Sequence, residues 1–259
     1  MGVRKRLFIV SILSFSLGIL AGCNKDSYTI KFAPEKGREY RVQYNTKLQS
    51  KDEAINIKNN FDINLKCTDI KEKKAYIDLS YNDYVIDTKE DGILIKADEN
   101  SEIFGESIHK IKSDIFKGSI YAEADSFQYN LISGDEDVLR DGTLKIENQQ
   151  EKIFEAIACF VGEKVRNNGK INMNFNKMLG RETCKEIGLN NTSIKGKVMA
   201  IKDDIALVEV CSKGNSNIKI EISSQLNVNT GMVRYMKIDI ENNSKETGRK
   251  TFAADIFVE

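Results

Sequence analysis

The sequence is poor in the residues on which catalytic and metal sites most often depend. It has no tryptophan, one proline, Pro34, and one histidine, His109. A metal site built from several histidines is excluded by number, and no Gly-x-Ser-x-Gly turn accompanies His109, so a Ser-His-Asp triad has no support. We therefore predict that the chain is not an enzyme and that it holds neither a metal ion nor another cofactor.

Neither positive nor negative charge is in excess. The chain has 39 Lys and Arg residues against 39 Asp and Glu residues, interspersed along its length. A nucleic-acid-binding protein normally shows a clustered basic surplus, and the GxxxxGK[ST] and GxGxxG loops that bind phosphate groups are absent. These observations predict that nucleic acid is not a partner. The chain also lacks a Ser- or Gly-rich linker and a repeat of fixed period, which favours a single domain.

Closely spaced cysteine pairs are absent as well. Beyond the N-terminal segment the chain has Cys67, Cys159, Cys184 and Cys211. None of them forms a CxxC motif of the kind used for metal binding or redox chemistry. Four cysteines in an exported protein allow three disulfide connectivities, but a domain of this size does not need such cross-links. We expect unpaired thiols and leave the disulfide alternative open.

The N-terminus has the pattern of an export signal. Arg4, Lys5 and Arg6 precede an uncharged stretch from Leu7 to Gly22. A transmembrane helix needs roughly 20 predominantly apolar residues, so this stretch is short for a membrane span. It is typical of the hydrophobic core of a signal peptide.

The end of that segment, Leu20-Ala21-Gly22-Cys23, resembles the lipobox of bacterial lipoproteins. The resemblance implies cleavage between Gly22 and Cys23, and a diacylglyceryl group on the Cys23 sulfur, which palmitate labelling would detect. It also implies a lipid-anchored protein on the outer, extracytoplasmic face of the bacterial cell membrane. Two or more acyl chains anchor a protein stably, whereas one binds only marginally. The alternative is an ordinary secretory signal or an uncleaved anchor helix, in either of which Cys23 has no role.

Most of the remaining chain alternates between apolar and polar residues. From Ile55 to Cys67 the odd positions are mainly apolar, and the pattern returns from Ala75 to Val85 after the polar turn Lys71–Lys74. Such alternation predicts strands with one buried face. The two segments would form a long hairpin, extended by an upstream strand from Tyr40 to Leu48, and Ile93–Ile95 would be a short returning strand.

Helical periodicity occurs in two places. Phe104, Ile108, Ile111 and Ile115 lie on one helical face, with Ser101 as a possible cap, and a second helix is predicted from about Leu144 to Val161. Two short strands are predicted between these helices, and five strands from Ser193 to Val258 would form a final meander. This composition predicts an α+β fold, a large twisted antiparallel sheet with two helices on one face.

The mature chain also resembles an uncharacterised family of bacterial lipoproteins. The features that carry this resemblance are Lys36-Gly37 followed by Tyr40, and the later Gly162-Glu163-Lys164-Val165 with Asn168-Gly169. The resemblance implies a curved half-barrel similar to that of lipoprotein and lipid carriers. The predicted organisation is a signal peptide over residues 1–22, a lipidated cysteine, tether and short strand over residues 23–38, and one domain over residues 39–259.

Two functions are compatible with this architecture. The first is a binding module whose concave sheet face and first helix enclose an apolar or lipid ligand. Its predicted ligand-binding residues lie on the first hairpin and the first helix: Ile57, Phe61, Ile63, Ile77, Leu79, Tyr81, Phe104, Ile108 and Ile111. The alternative is a structural lipoprotein with a filled core that engages another envelope protein. Alternating strands are expected of both, so the sequence does not separate them.

Overall fold

A computed structural model describes residues 27–52, 54–90, 92–123, 126–140, 144–189, 193–212, 217–244 and 248–259. Its fourteen strands are β1 Tyr28–Thr29, β2 Glu39–Ser50, β3 Ile55–Lys71, β4 Lys74–Glu90, β5 Ile93–Ala97, β6 Phe116–Glu123, β7 Ser126–Ser133, β8 Lys164–Val165, β9 Lys170–Asn174, β10 Ser193–Lys202, β11 Ile205–Ser212, β12 Ile218–Asn227, β13 Val233–Ser244 and β14 Gly248–Val258. Its helices are α1 Gly105–Ser113, α2 Glu136–Arg140, α3 Ile146–Ile157, α4 Phe175–Leu179 and α5 Arg181–Glu186.

Twelve of the strands form one open antiparallel sheet. Its order is β7-β6-β4-β3-β2-β14-β13-β12-β11-β10-β9, and β5 pairs with β4 beside this path. The sheet does not close on itself, so β7 and β9 are its edge strands. The two remaining strands, β1 and β8, pair with each other separately, with Tyr28 opposite Val165.

One face of the large sheet is buried along its whole width. On β2 the inward residues Tyr40, Val42, Tyr44, Thr46 and Leu48 are buried, whereas the residues between them are exposed. The same alternation recurs on β12 and β14, as expected for a sheet that is solvated on one side. The helices cover the buried side. The predicted α+β class, with a large half-barrel-like antiparallel sheet, is therefore confirmed.

The tight turns between long strands explain why the hairpins hold their register. Between β3 and β4, the two turn residues Glu72 and Lys73 both have positive φ, 50° and 66°. Asp203 and Asp204 repeat this geometry between β10 and β11. Two consecutive residues with positive φ form a type I′ turn, whose twist matches that of the flanking strands.

The strand predictions agree closely with the structure, but the helix predictions need correction. The β2–β3–β4 order and the final meander are confirmed. Helix α1 ends at Ser113, so Ile115 lies outside it and is 55% exposed rather than on a buried helical face. Three short helices, α2, α4 and α5, and the short strands β8 and β9 were not predicted, because elements of two to six residues are too short to show a period.

The predictions for the cysteines and for the N-terminus have different outcomes. Cys67, Cys159, Cys184 and Cys211 are all free thiols in the structure, as expected. Among the described residues, no helix is both long enough and apolar enough to cross a lipid bilayer. The signal peptide and Cys23 lie outside the described residues, so the lipobox and the lipid anchor remain predictions.

Candidate functional site

The predicted ligand-binding residues meet in the interior, where they are tightly packed. Helix α1 packs against β4, and Ile108 and Ile111 have no exposed surface. The buried strand residues Phe61, Ile63, Ile77, Leu79 and Tyr81 are each at most 4% exposed, and only Ile57 and Phe104 are partly buried. Side chains with almost no accessible surface do not border a void that could hold even a water molecule. In this conformation the space expected for a ligand is filled, and the binding role of these residues remains a prediction.

A β-bulge determines which aromatic side chains fill this space. The register between β3 and β4 shifts at Asp62 and Ile63, so that Tyr84 lies opposite Phe61 and Tyr81 lies opposite Ile63. In a regular strand, residues three apart point to opposite faces. Because of the bulge, Tyr81 and Tyr84 are both buried. The sequence pattern places Val85 inward instead, so sequence reasoning does not identify Tyr84 as an interior residue.

The rings of this aromatic cluster are in mutual contact. The Phe61 ring centroid lies 4.8 Å from that of Tyr84, and the Tyr81 centroid lies 5.3 Å from Tyr84 and 5.9 Å from Phe116 in edge-on geometry. The Tyr84 hydroxyl donates a hydrogen bond of 3.1 Å to the carbonyl oxygen of Leu144, just before α3. The cluster therefore connects the centre of the sheet to the start of that helix.

Three polar side chains lie in the apolar interior beside this aromatic cluster. Gln150 of α3 is fully buried, and its Oε1 atom accepts a hydrogen bond from the hydroxyl of Tyr129 on β7. The Gln150 Nε2 atom and the Tyr81 hydroxyl are buried without a hydrogen-bond partner among the described residues. Burial raises the pKa of Tyr81 and the neighbouring Gln150 amide lowers it by less, yet no hydrogen bond of normal geometry joins the two groups.

These side chains lie at the contact between helix α3 and the edge strand β7. We call this contact the α3–β7 seam and define it by Phe127, Tyr129 and Leu131 on β7 together with Gln150 and Phe154 on α3 and Ala158 directly after that helix. The ring centroids of Tyr129 and Phe154 are 5.0 Å apart at its centre. Because β7 is the last strand of the sheet, the seam is the place where the helical layer meets the sheet edge.

Each end of the seam opens into a recess at the surface. The first recess, about 20 Å³, lies at the Phe127 end and is bordered by Ala122, Ala158, Glu155 and Lys177. The second, about 320 Å³, lies at the Leu131 end beside Ile132, Leu139 and the first turn of α3. Ligand pockets usually measure about 300–1,000 Å³ and enclose most of the ligand. Both recesses are open to solvent, so neither alone encloses an acyl chain in this conformation.

The first recess contains the carboxyl group of Glu155, whose pKa is unusually high. Burial raises the pKa of Glu155 to about 7, and the neighbouring Glu151 carboxylate raises it further, whereas nearby Lys and Arg residues oppose this effect. Burial also raises the pKa of the Cys159 thiol at the same recess, so this cysteine stays protonated and unreactive at neutral pH. Within the described ranges, no three His, Cys, Asp or Glu side chains lie close enough together to hold a metal ion.

Comparison with known proteins gives little further guidance. The sequence matches no protein-family model and no curated protein. One similar solved structure is that of lipovitellin, reported as "Lipid-protein interactions in lipovitellin", with a TM-score of 0.49 and 8% sequence identity. The match covers 87% of this chain but only 25% of the lipovitellin chain. At this identity and TM-score the similarity does not assign the chain to a family.

Proposed function

We propose that the protein is a lipid-anchored, extracytoplasmic binding module that holds an amphiphilic ligand in the α3–β7 seam. The observation that carries the proposal is the pair of buried polar atoms, the Tyr81 hydroxyl and Gln150 Nε2, that lack partners inside an aromatic interior. A buried polar group without a hydrogen bond costs about 1–3 kcal/mol, and each such group in a folded protein calls for an explanation. A polar group of a ligand would satisfy both atoms.

The chemistry of the two atoms limits the ligand's polar group. The Gln150 amide nitrogen can only donate a hydrogen bond, whereas the Tyr81 hydroxyl can donate or accept one. A carbonyl or ester oxygen placed between them would accept from both. The surrounding rings of Phe61, Phe116 and Phe154 favour an apolar remainder, and a low-dielectric interior disfavours an ionised head group. The fitting ligand is therefore an ester or a neutral acid attached to an apolar chain.

Binding requires a change of conformation at the seam. Tyr129, Gln150 and Phe154 currently occupy the space between β7 and α3, with each side chain at most 7% exposed. A shift of α3 away from β7 that keeps Gln150 and Phe154 facing the sheet would join the two recesses along the seam. This movement takes place at the edge of the sheet, where β7 has a neighbouring strand on one side only. The ligand-free and ligand-bound forms should thus differ at α3 and β7 and not in the rest of the sheet.

Native mass spectrometry tests the proposal on the chain from residue 24 onward, which contains every described strand and helix. After incubation with phospholipids and fatty acids, the protein should retain one lipid. Ala122→Phe should reduce the retained fraction, since Ala122 borders the first recess from the inner face of β6. Ala253→Phe is the matched control, because Ala253 lies on the outer face of β14. Absence of bound lipid in the unmodified chain would contradict the proposal.

A second candidate function is an interaction lipoprotein without a ligand. It is favoured by the filled interior and by apolar side chains at the surface, such as Ile103, 82% exposed, and Ile132, 57% exposed. Single exposed apolar residues are common on folded proteins, so the filled interior is the main support for this candidate. If this second function is correct, the protein retains no lipid in the mass spectrometry experiment, and a partner from the cell envelope contacts these side chains instead.

A further inference from the structure

A group of cations surrounds the point where the N-terminal chain enters the fold. Thr29 and Tyr28 of β1 pair with Lys164 and Val165 of β8. Val165 is buried, whereas Lys164 and Arg166 on either side of it are exposed. The Arg166 side chain lies directly over Gly169, where an added Cβ would clash with it, and Lys170 follows at the start of the edge strand β9.

The neighbouring strand contributes a further cation. Lys170 on β9 lies directly opposite Lys197 on β10, and both side chains are exposed on the outer face of the sheet. We call Lys164, Arg166, Lys170 and Lys197 the basic patch. In the described part of the chain none of the four makes an ion pair. The nearest carboxylates along the backbone are Glu163 and Glu209, the latter opposite Lys197 on β11, so the patch keeps a net positive charge.

This arrangement carries an electrostatic cost that a partner could remove. Like charges directly opposite each other on adjacent strands are destabilising, and Lys170 and Lys197 form such a pair. Some lysines near the ends of the sheet do have carboxylate partners: Lys36 and Lys71 both pair with Asp69, and Lys73 pairs with Glu123. An unpaired cluster next to the chain entry point therefore indicates an anionic partner outside the protein.

The length of the N-terminal segment identifies that partner. We infer that the basic patch rests on anionic lipid headgroups of the membrane to which the chain is attached. This inference depends on the anchor of the proposed function: Tyr28 is five positions after Cys23, a span of at most about 17–18 Å when fully extended. Surface charges act over about 8 Å at physiological salt. A domain tethered this closely, with its cations beside the tether, would have its basic patch within reach of the headgroups.

The expected binding strength makes the inference measurable. Each Lys or Arg near an anionic membrane surface strengthens binding about five-fold, so four of them give a partition constant of at most about 10³ M⁻¹, which Glu163 and Glu209 reduce. Sedimentation at millimolar lipid measures such a constant on the chain from residue 24 onward, which has no acyl anchor. Binding should occur to vesicles that contain phosphatidylglycerol, weaken with rising salt, and be absent with phosphatidylcholine alone.

The decisive variant is Lys170→Gln with Lys197→Gln, which should weaken vesicle binding about 30-fold. Its matched control is Lys47→Gln with Lys51→Gln, which removes the same charge from exposed positions on β2 and directly after it. Because β2 lies five strands away from β10 in the sheet, this variant should leave binding unchanged. Circular dichroism verifies that both variants are folded. Equal binding of the two double variants, or no binding of the unmodified chain to anionic vesicles, would overturn the inference. Binding to a soluble polyanion but not to vesicles would overturn it in favour of another anionic partner. Because the assay needs neither acylation of Cys23 nor a ligand in the seam, its failure is distinguishable from failure of the proposed function.

Discussion

Tyr81 and Tyr84 form a natural pair for testing the buried polar site, because removing their hydroxyl groups should change stability in opposite directions. Both rings are buried on β4 and belong to one aromatic cluster. The Tyr84 hydroxyl donates to the Leu144 carbonyl oxygen at 3.1 Å, whereas the Tyr81 hydroxyl has no partner in the described structure. The substitutions Tyr81→Phe and Tyr84→Phe each remove one oxygen atom from almost the same environment.

The magnitudes follow from the cost of a buried polar group without a partner, about 1–3 kcal/mol. Tyr81→Phe removes such a group, so the ligand-free protein should gain about 1 kcal/mol in free energy of unfolding, less the small loss of packing. Tyr84→Phe leaves the buried Leu144 carbonyl unpaired and should lose about 1–3 kcal/mol. For a chain of this size, 1 kcal/mol corresponds to about 2–4 °C in Tm.

Urea unfolding followed by circular dichroism measures both effects, with equal m-values as the condition for comparing the variants. The protein must first be freed of lipid, because bound ligand would stabilise the folded state by mass action. With ligand restored, Tyr81→Phe should bind less tightly by about 1 kcal/mol, the value of one hydrogen bond. If both variants lose stability equally in the ligand-free form, the Tyr81 hydroxyl already has a partner and the polar site proposed here does not exist.

Two further predictions concern the recess and the anchor. The pKa of Glu155 is raised to about 7 by burial, so its contribution to stability is lost as pH rises from about 4.5 to about 7, and it stays unfavourable above that range. Glu155→Gln should therefore raise the free energy of unfolding at pH 8 by about 1–2 kcal/mol, allowing for solvent screening, but not at pH 4. The same gain in the exposed control Glu147→Gln would show that burial of Glu155 is not the cause. Cys23→Ala should abolish incorporation of labelled palmitate and leave the precursor uncut, whereas continued labelling would show that Cys23 is not the acylated residue.

The strands could be predicted well because the alternation of apolar and polar residues that indicates a strand is a local pattern. The residues from Ile55 to Cys67 alternate, and the structure places Phe61, Ile63 and Leu65 on one buried face as that alternation requires. The final meander was predictable for the same reason, with its turns indicated by polar residues such as Asp203 and Asp204. The helix boundaries were less accurate, since Ile115 continues the helical period although the chain has already left α1.

The candidate site was predictable only in part. The sequence pattern selected Phe61 and Tyr81, and both belong to the aromatic cluster. It did not select Tyr84, because the bulge that turns this side chain inward depends on how β3 and β4 pair over long distances. Gln150 was also missed, since a single polar residue in an amphipathic helix does not show from sequence alone whether it faces solvent or the interior.

Neighbouring residues are enough to predict the period of each long strand, the buried face of the sheet, the near-neutral charge and the export-like N-terminus. Three other properties could be recognised only in the folded chain: the interior is filled, Tyr81 and Gln150 keep unpaired polar atoms there, and Lys170 lies opposite Lys197. These three properties arise when strands and helices far apart in sequence come into contact. Their pairing register is a property of the whole fold, and no local pattern encodes it.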